Sequence, residues 1–365
     1  MPHASCFSHT LHFTFRAGTS RGVMTQHDTH FIVIEDGGQR GIGECAPLPG
    51  LSVDDRPDFA QQLQRVVDQV RQSPPPTQPE AVPDALDQLV PTDLPAVRFG
   101  LETAWLDLLH GGQRWLFPAV MQPRFTPLPI NGLVWMSDAD TMLRQLDEKL
   151  AAGFRCVKLK IGAIDFDEEL RLLAHVRERY DPDAITLRVD ANGAFAPDEA
   201  LDKLTQLARY DVHSIEQPIR PGQWEAMAAL CQHSPVPIAL DEELIGITSP
   251  EDQARLLDTI RPPYIILKPT LLGGLAAADG WIRAAEARNI RWWATSALES
   301  NVGLNAIAQW VAQYRPTLPQ GLGTGQLYHN NIGAPMVIDR GYLTYNPDRS
   351  WDLLLFESVG SSSEQ

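Results

Sequence analysis

Six ionisable side chains stand where short apolar runs stop: Lys158 and Lys160 in VKLKIG, Asp190 in LRVDAN, Glu216 in SIEQP, Asp241 in IALDEE and Lys268 in IILKP. Runs of this length read as buried strands. Residues two apart on a strand share a face, so Lys158 and Lys160 point the same way, inward. One strand-end charge alone is commonly a salt-bridge partner. Five consecutive strands ending Lys-Lys, Asp, Glu, Asp, Lys form a set. Three carboxylates gathered at one place repel one another unless a cation sits among them. With no His or Cys beside them, Asp190, Glu216 and Asp241 suit a hard ion, Mg2+ or Mn2+, completed by water and substrate oxygens. Lys158 and Lys160 on the second strand and Lys268 on the sixth would bracket a bound molecule. A lysine near a divalent ion and other cations has its pKa lowered and acts as a base near neutral pH. The chemistry this permits is proton abstraction beside a carboxylate, the ion's charge stabilising the enediolate.

Such a set must be held at one end of one sheet. From Leu128 onward, apolar runs alternate with amphipathic stretches: helices are expected near 138–152, 165–180, 197–209, 222–233, 250–260, 274–288 and 301–314. Seven strand-helix units, with a further strand near 319–323, predict a closed parallel barrel, (β/α)7β, a modified TIM barrel. Chemistry in that fold lies at the C-terminal ends of the strands, where the six ionisable groups fall. No GxGxxG follows the first strand, which argues against a dinucleotide fold.

Residues 1–127 read as a smaller α+β capping domain. LHFTFRA alternates as a half-buried strand, AGTSRGVMTQ reads as a loop, and THFIVIED is a second strand closed by Gly37-Gly38. A helix is expected over DRPDFAQQLQRVVDQVRQ, a proline-punctuated stretch over 73–95, and a helix in AVRFGLETAWLDLLHG. The barrel is assigned 128–325. Residues 326–365 hold two strand-like pieces that return to complete the capping domain, then a disordered SSSEQ.

Composition narrows the partners. The chain has 365 residues, a net charge of −16 and 44% hydrophobic residues, enough for a large core. An acidic surface disfavours nucleic acid and anionic membranes, and no apolar run approaches the ~20 residues of a bilayer span. Four scattered cysteines form no CxxC pair, and MPHASCFSHT has no secretory pattern; a cytoplasmic enzyme acting on a small carboxylate is expected.

The motifs KLKIG, VDANGAF, SIEQP, LDEEL, ILKP and SALES, in this order, resemble the enolase superfamily. The Lys-x-Lys pair and the lone later Lys resemble its muconate-lactonizing subgroup. SRG in the capping loop, SALESNVGLNAIAQW and PQGLGTGQLYHNNI most resemble the o-succinylbenzoate synthase family. That resemblance implies a Mg2+-dependent hydro-lyase of menaquinone biosynthesis. It would convert 2-succinyl-6-hydroxy-2,4-cyclohexadiene-1-carboxylate to o-succinylbenzoate by syn loss of water. It implies Asp190, Glu216 and Asp241 as metal ligands and Lys160 as the base that also assists the leaving hydroxide. Lys158 would support Lys160, and Lys268 would act electrostatically from the opposite face.

Weaker candidates surround these. Asn192 orients a ligand or water, or caps the next helix. Ser296 and Gly321, with Gly323 and Gly325, offer N–H groups to a succinyl carboxylate, or serve turn geometry. Arg21 in the capping loop closes over the site or is a solvated loop arginine. Arg188, deeper on the Asp190 strand, needs a charged neighbour, Asp190 or Glu216. Glu242 and Glu243 are read as supporting groups, with Glu242 the ligand if the register slips by one. His329 matches no acid–base role, and of Trp292 and Trp293 at least one is core. Rival reactions on the same frame are N-succinylamino acid racemase, dipeptide epimerase and cycloisomerase. GLGTGQ lacks the acidic pair expected of a dipeptide epimerase. A non-catalytic metal- or carboxylate-binding barrel would be a different class, but all six ionisable positions are present.

Overall fold

A computed structural model describes residues 2–19 and 22–357. Arg21 and the SSSEQ tail lie outside the described residues. The N-terminal part opens with an antiparallel sheet of β1 (His3–Thr19), β2 (Gly22–Asp36) and β3 (Gln39–Cys45) in that order. Within the expected loop over AGTSRGVMTQ, residues 17–19 and 22–26 are instead strand: Ala17 pairs with Met24 and Thr19 with Gly22. The β1–β2 register shifts between His12 and Ala17, a bulge in which Phe13 bridges Tyr328 and the Thr14 N–H donates to the Leu327 carbonyl at 2.8 Å. Bulges re-aim side chains. This one turns Phe15 and Arg16 toward the barrel mouth.

Helices α1 (Phe59–Gln72), α2 (Val82–Leu89) and α3 (Pro95–Leu109) cover one face of the sheet. Both α2 and α3 carry proline in the first turn, which needs no N–H there. The proline-rich stretch thus punctuates helices. Nearly all of α3 is buried, and it lies so close to β3 that a Cβ on Gly43 would strike the Gly100 carbonyl.

A single-turn helix α4 (Pro118–Met121) and a two-residue strand β4 (Leu128–Pro129) lead into the barrel. The units follow in turn: β5 (Gly132–Val134), α5 (Ala139–Ala151), β6 (Cys156–Lys160), α6 (Phe166–Arg177), β7 (Thr186–Asp190), α7 (Pro197–Leu207), β8 (Val212–Glu216), α8 (Trp224–His233), β9 (Ile238–Leu240) and α9 (Pro250–Ile260). Next come β10 (Tyr264–Leu267), the one-turn α10 (Pro269–Leu272), α11 (Leu275–Glu286), β11 (Arg291–Ala294) and α12 (Asn301–Gln313). Strands β5 to β11 pair in sequence order as one parallel sheet, and the helices match their expected spans within a few residues. Two residues close the ring. Gln320 bridges Ile130 and Gly321 bridges Thr295, both parallel, at the place of the expected eighth strand.

The tail forms β12 (Met336–Asp339) and β13 (Tyr342–Tyr345), and Leu343 of β13 pairs with Leu128 of β4, so this hairpin joins the start of the barrel chain. Residues on either side of it return to the capping sheet: Tyr328 bridges Phe13, the His329 N–H donates to the His12 carbonyl at 3.1 Å, and Phe356 of α13 (Leu354–Glu357) meets Phe7 and Phe31 edge-on. Among the described residues no helix is long and apolar enough to cross a membrane.

Candidate active site

Register explains why the charges meet. Parallel pairing aligns Lys160 with Asp190, and Asp190 with Glu216, at one level across β6, β7 and β8. One level down, Lys158 faces Arg188, which faces Ser214. Asp241 follows the end of β9, and Lys268 sits between β10 and α10.

All six groups are buried or nearly so and tied to one another. Lys158 Nζ lies 2.7 Å from Glu216 Oε2 and 3.1 Å from Asp190 Oδ2. Lys160 Nζ lies 2.9 Å from the same Asp190 oxygen and 2.7 Å from Asn192 Oδ1. Across the mouth, Lys268 pairs with Asp241. Asn192, held at φ +44°, donates its amide to Glu242 Oε1 at 2.8 Å, linking Lys160 to that carboxylate. It does not cap α7, whose first N–H at Ala196 is met by Glu199.

Electrostatics follow from burial and these pairs. Burial works against the Asp190 charge, but Lys158 and Lys160 outweigh it and hold the carboxyl well below the usual range. Glu216 goes the other way: burial, then the Asp190 charge, push it well above its ordinary value. The expected lowering of lysine pKa is reversed with protein groups alone. Burial pulls Lys158 and Lys268 down, but Asp190 and Glu216 outweigh it at Lys158, as Asp241 and Glu242 do at Lys268, and both rise.

Among the described residues, no three His, Cys, Asp or Glu side chains stand as a finished metal cage, because the lysines hold the carboxylates. The donor set nonetheless fits a hard divalent ion. Glu216 Oε1 is buried and makes no hydrogen bond. Burial first, and then the like charges of Asp190 and Asp241, raise Glu216 and Glu242 alike. Oxygen donors without His or Cys are the ligands such an ion takes.

Several candidates land elsewhere than expected. Arg188 is fully buried and feels the charge of Glu216, but among the described residues no carboxylate forms an ion pair with it: its guanidinium stacks on Trp293 at 4.0 Å and donates to the Pro319 carbonyl at 2.7 Å. An aromatic face and a carbonyl supply the electron density that a carboxylate was expected to give. Trp293 is therefore core. Ser296 and Gly321 line the cavity, but their N–H groups are already used: Ser296 donates to the Gly321 carbonyl and Gly321 to the Ala294 carbonyl at 2.8 Å, the bonds that close the barrel. Ser296 Oγ donates to Glu299. His329 stacks on His12 outside the cavity.

Two further residues, Gln217 and Glu299, brace the site. Gln217, at φ +39°, accepts from the Asp241 N–H at 3.2 Å and donates to Glu243 Oε2 at 3.0 Å, bracing the loops after β8 and β9. Its place after Glu216 in SIEQP was the available signal. Glu299, fully buried, takes the Ser296 and Thr270 hydroxyls. Above the charged floor is a cavity of about 760 Å3, roofed by Phe15, Arg16, Met24, Leu48, Leu298 and Leu327.

Known proteins share this frame. A family model described as "Enolase C-terminal domain-like" matches residues 141–349. The o-succinylbenzoate synthase of Desulfotalea psychrophila is 47% identical over 354 residues, 91% of this chain and 96% of the relative. The chain belongs to the enolase superfamily, in its o-succinylbenzoate synthase branch. A crystal structure of MenC from Desulfotalea psychrophila superposes with a TM-score of 0.85 at 44% identity, covering 94% of this chain and 99% of that one. The L-Ala-D/L-Glu epimerase of Bacillus subtilis, at 19% identity and a TM-score of 0.82 over 95% of this chain and 96% of its own, shares the fold. Enolase superfamily members use divalent metal ions, and the barrel mouth described above is where this chain presents oxygen ligands.

Proposed function

We propose that this chain is a Mg2+-dependent o-succinylbenzoate synthase, dehydrating 2-succinyl-6-hydroxy-2,4-cyclohexadiene-1-carboxylate. The observation that carries the reading is the buried set of Lys158 and Lys160 facing Lys268 across Asp190, Glu216 and Asp241, beneath a largely apolar cavity. The 47% identity to a named synthase along nearly the whole chain supports the choice of reaction.

Asp190, Glu216 and Asp241 would hold the metal. A divalent ion held there would supply positive charge against the negative charge that develops on the substrate carboxylate, and would compete with the lysines for these three side chains. Neutral Lys160 removes the proton from the ring carbon bearing that carboxylate, and the bonding pair moves into the carboxylate as an enediolate. When the pair returns, the C–O bond to the ring hydroxyl breaks, and Lys160 delivers its proton to the departing oxygen. Water leaves and the ring becomes aromatic. One base on one face serves both transfers, which is a syn elimination. Lys158 keeps a positive charge beside Lys160, and Lys268 faces the ring from the other side. Arg16 lines the cavity, as do Lys149 and Arg340, and from the roof it would meet the second carboxylate, at the end of the succinyl arm.

Purified protein with Mg2+ and the cyclohexadiene substrate should show loss of diene and gain of aromatic absorbance, with no comparable turnover of N-succinylamino acids. Racemisation of N-succinylamino acids without dehydration would overturn the assignment in favour of a racemase. No turnover of either would favour a binding scaffold.

A further inference from the structure

Leu298 is a non-glycine residue at φ +70°, a conformation that L side chains rarely adopt, and its side chain lines the cavity. The polar groups of its loop are held from both sides. On the barrel side, the Ala297 N–H donates to Glu299 at 2.8 Å and the Leu298 N–H to Ser296 Oγ at 3.0 Å. On the other side, two residues from distant parts of the chain converge on the Leu298 carbonyl. Tyr328 Oη donates to it at 2.7 Å, and His27 Nδ1 lies 3.1 Å away. The far nitrogen of His27 lies 3.2 Å from the Pro47 carbonyl, one residue before the roof residue Leu48. Both His27 and Tyr328 are buried.

We propose that His27 and Tyr328 are positioning residues which fix Leu298 and Leu48 as a rigid apolar wall, and that Leu298 thereby selects the flat ring of the substrate. The inference rests on the proposed dehydratase reading for its substrate, but not for its geometry. A left-handed leucine persists only where its surroundings over-determine it, and such residues gather at ligand clamps. Here the determinants come from β2, from the barrel loop after β11 and from the segment after the closing strand, so one imidazole and one phenol join the roof to the floor. Neither group touches the reacting atoms. Their loss should therefore weaken substrate binding and leave the chemical step largely intact.

A neutral imidazole carries one N–H, so His27 donates to the Leu298 carbonyl or to the Pro47 carbonyl, and the side-chain amides of Asn and Gln separate the two: Asn places an N–H near the Nδ1 position, facing Leu298, and Gln near the Nε2 position, facing Pro47. Steady-state kinetics, product affinity with Mg2+ and o-succinylbenzoate, and amide hydrogen exchange of residues 296–300 are measured for wild type, His27→Leu, His27→Asn, His27→Gln, Tyr328→Phe and His27→Leu/Tyr328→Phe. The expected result is a KM and product Kd raised about tenfold in His27→Leu and further in the double variant, with kcat within about threefold. His27→Asn should restore KM more fully than His27→Gln, and exchange at 297–299 should quicken in step with KM. If the folded double variant or the milder Tyr328→Phe keeps wild-type KM, Kd and exchange, the proposal is overturned. A fall in kcat alone would overturn it too. Wild type that neither dehydrates the diene nor binds the product would sink the dehydratase reading, whereas unchanged exchange in the variants would sink the latch by itself.

Discussion

The floor and the roof of the cavity are built on opposite plans. On the floor, each strand-end charge is in contact with an opposite one, and positions come from the pairing of β6, β7 and β8, which a shift between Leu187 and Arg188 brings level at Lys160, Asp190 and Glu216. On the roof, a bulge in β1 and two loops present Phe15, Met24, Leu48, Leu298 and Leu327, with Arg16 the cation among them. Parallel strands fix side chains at regular spacing, so a network of charges can be preorganised there. Loops and bulges set shape, and shape decides which molecule reaches that network. The enolase superfamily frame supplies the first; the branch, and with it the reaction, is expected to lie in the second.

Removing the base should have the largest effect. Lys160→Ala is expected to lower kcat by about 10^4, and Lys268→Ala, which loses only electrostatic support, by about 10^2. Equal abolition by both, with exchange of the substrate α-proton surviving in one of them, would mean two bases on two faces and would break the syn assignment. Next in size, Glu216→Gln should weaken Mn2+ binding by at least about 100-fold in calorimetry, since the buried oxygen without a partner is the one assigned to the ion. Unchanged affinity would place the ion elsewhere.

The roof should respond differently. Arg16→Ala is expected to raise KM about tenfold with kcat little changed, because a charge-assisted contact to a distant carboxylate binds ground and transition states alike. An equal fall in kcat would move Arg16 into the chemistry and erase the distinction between floor and roof.

The floor was legible in the sequence because strand periodicity and ionisable ends are local signals: Lys158, Lys160, Asp190, Glu216, Asp241 and Lys268 each announce themselves within their own run. Helix spans were legible for the same reason. What was misread depends on contacts far along the chain. AGTSRGVMTQ has loop composition, yet pairing of Ala17 with Met24 and of Thr19 with Gly22 makes residues 17–19 and 22–26 strand. Arg188 was given a carboxylate because a buried charge needs a partner, but Trp293, about a hundred residues later, lies under it. The N–H of Gly321 was offered to substrate, and barrel closure had already taken it. The latch at Leu298 spans 271 residues from His27 and left no local trace.

The last effect is on stability rather than turnover and concerns the joint between the two domains. Glu102 on α3 caps α11 by accepting from the Ala276 N–H at 2.9 Å and from Leu275, and burial pushes its carboxyl up to about 7. With the folded value above the unfolded one, the native state holds the extra proton. Stability should therefore fall as pH rises from about 4.5 to about 7, by up to about 3 kcal/mol from this group. Glu102→Gln should flatten that part of the Tm–pH curve. A variant curve parallel to wild type would show that Glu102 is ionised throughout.

The central claim is that oxygen side chains at the barrel mouth gather a divalent ion without which Lys160 cannot deprotonate its substrate. The most direct measurement is the rate of aromatic product formation after exhaustive chelation and dialysis, then after Mg2+ is added back. Activity should vanish and return in proportion to bound metal. Full activity in the metal-free protein would contradict the account.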